Sequence, residues 1–148
     1  MTADFDNRAR LAVYGAFVDD GEPPSASELA GRLDAAPEEA DAALRRLHDQ
    51  RVIVLMPGTT EVWMAPPLSA VPTGFHVESS RGEFWGNCVW DGLGVVSMLG
   101  GDGTVQTRCA DCHEPITLRV EDSELRDGDG IAHFAVPAAR WWDNIGFT

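Results

Sequence analysis

The chain has 148 residues, enough for one ordinary domain or for a small N-terminal module joined to a modest second one, and its 44% hydrophobic content suffices for a packed core. It carries 24 acidic residues against 11 arginines and no lysine, a formal net charge of −13, which argues against nucleic acid or an anionic membrane as the main partner. No run reaches the roughly 18 apolar residues of a membrane span, and Met1-Thr2-Ala3-Asp4-Phe5-Asp6 has neither the basic region nor the apolar core of an export signal; the chain is expected in the cytoplasm, with its three cysteines reduced.

Residues 5–18 form an approximate helical stripe of Phe5, Ala9, Leu11, Ala12, Ala16 and Phe17. Asp19-Asp20-Gly21-Glu22-Pro23-Pro24 breaks it. Ser25-Ala26-Ser27-Glu28 has capping-box spacing and predicts a short helix to about Leu33. Pro37 opens a third helix to about Gln50, with Ala40, Ala43, Leu44 and Leu47 as its apolar face. Val52–Met56, the turn Pro57-Gly58-Thr59-Thr60, and Glu61–Met64 read as a hairpin. Three helices and a hairpin in this order look like a winged helix, a shape that often reads DNA. The charge opposes that use. Residues 1–72 hold 6 arginines and 12 acids, and the would-be recognition helix opens with Glu38, Glu39 and Asp41. A structural helical module is the expectation.

Pro66-Pro67 through Pro72-Thr73-Gly74 reads as a linker, dividing the chain into a helical module, 1–72, and a β-rich module, 73–148. In the second, Gly74–Glu78, Thr104–Cys109, Ile116–Val120 and Gly130–Val136 are strand-like, with a short helix between the first two. Ala138–Trp142 suggests a helical turn, and Ile145–Thr148 the start of a strand. The fold class is α+β, a winged-helix-like module followed by a mixed β-sheet module.

The chemistry concentrates at Asn87-Cys88-Val89-Trp90-Asp91, ahead of the apolar run Leu93–Leu99. Three residues apart on a helix, Cys88 and Asp91 share a face with Cβ atoms about 5–6 Å apart. Asn87 is a good N-cap, which would put Cys88 in the first turn. There the helix dipole lowers a thiol below its free value of about 8.5 and favours thiolate. A soft nucleophile would then stand beside a proton donor. A half-buried core cysteine with a surface aspartate is the plainer alternative.

Phe84-Trp85-Gly86-Asn87-Cys88-Val89-Trp90-Asp91-Gly92-Leu93, with the later Thr104-Val105-Gln106-Thr107-Arg108-Cys109-Ala110-Asp111-Cys112-His113-Glu114-Pro115-Ile116-Thr117-Leu118-Arg119-Val120, resembles the organomercurial (alkylmercury) lyase family over residues 75–122. The resemblance implies that Cys88 binds the organomercurial as a thiolate and that Asp91 helps deliver a proton to the departing carbon and hold the mercury. Products would be a hydrocarbon and Hg(II), which outside thiols remove; no organic cofactor is implied. The family's cysteine at the Cys109 position is regarded as structural, and its N-terminal helical domain does not read DNA. Its second catalytic cysteine follows a motif like Trp141-Trp142-Asp143-Asn144-Ile145-Gly146-Phe147-Thr148. This chain ends at Thr148, at or just before that place, so slow or absent turnover is expected unless a cytosolic thiol, Cys109 or Cys112 substitutes.

Cys109-Ala110-Asp111-Cys112-His113 formally matches a c-type haem attachment site, which requires export. It is also half of a structural zinc or copper site, without a second paired motif, and a redox pair without the surrounding βαβ pattern. Cysteines that simply pack in a hairpin turn are the remaining reading. Cys109 and Cys112 are carried as possible extra thiol ligands for a soft metal. Phe84, Trp85, Trp90, Trp141 and Trp142 could wall an apolar pocket around Cys88, or be ordinary core. His48, His76, His113 and His133 show no ligand spacing and are expected to be structural. Besides the lyase, two readings stand: a soft-metal binding or sensing module that cleaves nothing, and an enzyme on this scaffold with another substrate, such as a sulfur compound.

Overall fold

A computed structural model describes residues 2–146. Helix α1 spans Thr2–Asp20 and buries Asp6, Ala9, Val13, Ala16 and Phe17, a three-to-four-residue spacing that gives one inward face. Helix α2, Ala26–Leu33, is opened by the expected capping box: Ser25 accepts from the Glu28 N–H, and Glu28 accepts from the Ser25 N–H at 2.8 Å. It stops where Asp34 turns left-handed at φ 53°. Helix α3, Pro37–Asp49, starts on its proline and buries Ala40, Ala43, Leu44 and Leu47 as predicted.

Eight strands follow in one sheet: β1 Val54–Leu55, β2 Val62–Ala65, β3 Leu68–Ser69, β4 His76–Ser79, β5 Gly82–Gly86, β6 Gly103–Arg108, β7 Pro115–Glu121 and β8 Glu124–Asp127. Their spatial order is β1-β2-β3-β5-β4-β6-β7-β8, with every pairing antiparallel. Helix α4, Val89–Met98, connects β5 to β6 and packs on β3, β4, β5 and β6. It covers Val77, Phe84 and Val105, and one buried cluster runs from these residues through Leu68 and Ala65 to the helices at Leu44 and Val13. The fold is α+β, as expected, but the sheet is wholly antiparallel and not mixed, because each strand returns beside a neighbour through a turn, a short connection or α4.

Three expectations change. The stretch read as a linker, 66–74, contributes β3, so the sheet continues from the hairpin β1–β2 into the rest of the chain. Only two residues of pairing follow the two prolines, too few for a strand pattern to show in the sequence. Strand β5 was also missed, since Gly82 and Gly86 bracket it and it alternates only once between exposed and buried. Gly130–Val136 is not a strand; the last strand is β8, which hairpins back from β7 across Asp122 and Ser123, both at positive φ. The helical turn is present as a 3₁₀ segment, Ala138–Asp143. Of the strand expected at Ile145–Thr148, Phe147 and Thr148 lie outside the described residues, and Ile145 and Gly146 belong to a turn.

Candidate active site

Strand β5 delivers the chain to the site. Its last residue, Gly86, meets α4 backbone to backbone: a Cβ there would stand 2.6 Å from the Gly92 nitrogen and 2.8 Å from its Cα. Gly92 in turn sits on Val105, where a Cβ would approach Cγ1 to 2.8 Å. Two glycines six residues apart therefore let the first turn of α4 press against both β5 and β6. Asn87, Cys88 and Asp91 occupy that turn and its approach, all half-buried.

The local geometry differs from the expectation in one respect. The N-cap is Cys88 itself, extended at φ −149° and ψ −179°, and its Sγ accepts from the Asp91 N–H at 3.4 Å. Asn87 stands one residue outside the helix. Its Nδ2 donates to Asp91 Oδ2 at 3.0 Å and reaches the Leu68 carbonyl on β3 at 3.5 Å. Sequence reasoning missed this positioning role because an asparagine before an apolar run reads as a cap. Among the described residues, the buried Asn87 Oδ1 has no hydrogen-bond partner.

The electrostatics also differ. Burial pushes the Cys88 thiol above its ordinary range; the hydrogen bond from the Asp91 N–H pulls it down, and the nearby Asp91 carboxylate raises it again. Desolvation outweighs the helix-terminus effect that predicted a lowered value. Asp91 is likewise raised, by burial, against the hydrogen bond from Asn87 that favours its charged form. Both groups are biased towards protonation. Tyr14 of α1 feels the same site: burial raises its phenol, Arg10 opposes, and the Asp91 charge adds to the rise. The Tyr14 O–H donates to the Pro66 carbonyl at 2.8 Å, tying α1 to the approach of β3.

The other expected ligands lie on other elements. Cys109 and Cys112 lie in the β6–β7 turn, where hydrogen bonding from the Cys112 and Asp111 N–H groups and the Cys112 side chain lowers the Cys109 thiol. Among the described residues, no group of three or more His, Cys, Asp or Glu side chains is arranged to hold a metal ion. The five aromatics have different surroundings. Phe84 is core beneath α4, while Trp85 packs on His76 with ring centroids 4.8 Å apart. Trp90 is 66% exposed, Trp141 meets Phe134, and Trp142 lies under Arg51. Strand alternation explains Trp85, since it must face away from its neighbour Phe84. His48 meets the backbone of Ile53 and Leu55, and His76 stands between Glu78 and Glu83; both fit the structural expectation.

A family model for alkylmercury lyase matches residues 68–148. The crystal structure of the mercury-bound form of MerB2 is similar in fold, with a TM-score of 0.65 and 18% sequence identity. The match covers 85% of this chain and 66% of that one, so the chain spans just under two thirds of that protein's length. No curated protein sequence matches the chain.

Proposed function

The chain belongs to the alkylmercury lyase family, and we propose that it cleaves carbon–mercury bonds by protonolysis, giving a hydrocarbon and Hg(II), with Cys88 as the thiolate ligand and Asp91 as the proton carrier. The observation that carries this reading is the shared protonation bias of Cys88 and Asp91 on one helical turn. Mercury is soft and takes thiolate over oxygen. When Cys88 sulfur bonds to the mercury of a thiol-bound organomercurial, the outside thiol leaves as its thiolate and the Cys88 proton passes to the neighbouring Asp91 carboxylate. Burial then holds that proton on Asp91 as a carboxylic acid. From there it passes to the carbon as the carbon–mercury bond breaks, with the bond's electron pair going to the new C–H bond. Oxidation state is unchanged for mercury, and no organic cofactor is used.

Asn87 suits both states of Asp91. Its Nδ2 donates to the carboxylate. Turned about its amide axis, the same side chain presents the otherwise unpartnered Oδ1 to the protonated carboxyl's O–H. A second thiolate on mercury would make the carbon easier to protonate, and outside thiols remove the product. The N-terminal helices and the β1–β2 hairpin serve as a winged-helix-like support. Glu38 and Glu39 crowd the first turn of α3, where a DNA reader would present neutral or basic groups. The working location is the cytoplasm, where such thiols are abundant.

The test is benzene release from phenylmercury by the purified chain in excess thiol. Release above the thiol-only background, abolished in Cys88→Ala and reduced at least 10²-fold in Asp91→Asn, is expected. Cys88-dependent retention of phenylmercury without benzene would overturn cleavage and leave a soft-metal binding module.

A further inference from the structure

We propose that the β6–β7 turn is a second soft-metal site, a clamp in which Cys109 and Cys112 together bind one Hg(II) ion. The choice of ion rests on the lyase reading; the clamp itself rests on the turn. The ladder between β6 and β7 ends at the pair Arg108–Pro115. Beyond it, the Cys109 N–H donates to the Glu114 carbonyl at 2.9 Å and the His113 N–H to the Cys109 carbonyl at 3.0 Å. His113 adopts a left-handed φ of 59°, and Arg108 Nη1 holds its carbonyl at 3.1 Å. This closed turn holds Cys109 and Cys112 on one short loop, three residues apart, a spacing that puts their Cβ atoms about 5–6 Å from each other when the chain turns as in a helix. A Cys-x-x-Cys spacing on a closed turn lets two thiolates reach one soft metal ion.

A packing role for the pair is weak. Cys112 is exposed, Cys109 is half-buried, and neither belongs to the core cluster. With two sulfurs and no grouped third ligand among the described residues, the turn suits a cation content with two thiolates. Hg(II) is such an ion, whereas structural Zn(II) takes four ligands. Binding exchanges two thiol protons, released to solvent, for two S–Hg bonds, with no electron transfer.

The turn also stands near the first site. Gly86 donates to the Phe75 carbonyl at 2.9 Å, and His76 lies opposite Gln106. The N-cap of α4 and the Cys109 turn therefore share one end of the sheet, with β5 and β6 two strand spacings, about 10 Å, apart. Val105 faces α4, and two-residue alternation puts Cys109 on that same face. An ion leaving Cys88 would meet this pair early.

The experiment uses an inorganic Hg(II) salt and the full-length Cys88→Ser chain, reduced, in which Cys109 and Cys112 are the remaining thiols. Hg(II) retained after gel filtration against excess monothiol is measured. One ion per chain is expected. Adding Cys112→Ser, a change at an exposed position, lowers retention about 10²-fold through loss of the second, intramolecular thiolate. Equal retention with and without Cys112, or no retention by the Cys88→Ser chain, overturns the clamp. Because no carbon–mercury bond is involved, the result is independent of benzene release: a failed lyase assay with intact Hg(II) retention would sink the proposed activity and spare this site.

Discussion

Substituting Gly86 with alanine tests whether the active-site turn is set by close backbone packing. A Cβ at position 86 would lie 2.6 Å from the Gly92 nitrogen, where ordinary contact begins at 3.4 Å. The shortfall is about 0.8 Å, and a backbone atom cannot relieve it by changing rotamer. Helix α4 must move away from β5 by about that much. Overpacking of this kind costs about 1–3 kcal/mol. The same shift moves Cys88 and Asp91 relative to Asn87 and Leu68. A misplacement of about 1 Å costs on the order of 10²-fold in rate, so a loss of about ten- to a hundredfold in benzene release is expected. Urea unfolding gives the stability change, and phenylmercury cleavage in excess thiol gives the rate. Gly94→Ala is the control on the same helix, because its Cβ would meet the Pro67 Cβ at an ordinary 3.4 Å. Unchanged stability and rate in Gly86→Ala would refute the idea that the glycine pair positions the site.

Asp91→Asn should abolish cleavage yet stabilise the fold at neutral pH. The native carboxyl is raised by burial, so its favourable protonated contribution is complete below the unfolded value of about 3.9 and is lost as pH rises through the folded value. The variant's advantage over the parent, read by urea unfolding across pH, should therefore vanish in acid and grow towards neutrality; an advantage that is constant with pH would contradict the buried-charge account. Iodoacetamide at pH 7–8, followed by peptide mass spectrometry, should label Cys109 faster than Cys88, because hydrogen bonds lower the first thiol and burial raises the second. The reverse order would show that the helix terminus governs Cys88 after all. Arg46→Ala strands the largely buried Asp6, which Arg46 holds through Nε at 2.9 Å and Nη2 at 2.6 Å, and should cost about 1–3 kcal/mol in chemical denaturation. Gly31→Ala, inside α2 with nothing within 4 Å of the new Cβ, should instead gain up to about 1 kcal/mol.

The helical half was legible because each boundary has a local cause: the Ser25–Glu28 box, Pro37 at the start of α3, and the Ala40–Leu47 stripe. The sheet was less so. Strands β3 and β5 are short, and their order, with β5 between β3 and β4, comes from pairings that no local pattern encodes. At the site, the residue types and spacing of Cys88 and Asp91 identified the pair, but not its protonation. A sequence gives the helix terminus and not the depth at which it is buried, and here depth decides.

That depth bears directly on the chemistry. A surface Cys–Asp pair would rest as a carboxylate beside a thiol that ionises into bulk water, so the proton released on metal binding would be lost to solvent. In the half-buried turn, burial first and the carboxylate second raise the thiol, and burial raises the carboxyl. The proton's best destination on leaving sulfur is then the Asp91 carboxyl on the same turn, whose backbone N–H donates to the Cys88 sulfur at 3.4 Å. Asn87 keeps that carboxyl oriented from outside the helix. Replacing Asn87 with alanine should leave thiol-dependent mercury binding at Cys88 intact while slowing benzene release about tenfold, with the pH profile of release shifted upward because the hydrogen bond that favours the charged carboxylate is gone. A profile that stays put while the rate falls would mean that Asn87 only supports the turn, and that Asp91 does not carry the transferred proton.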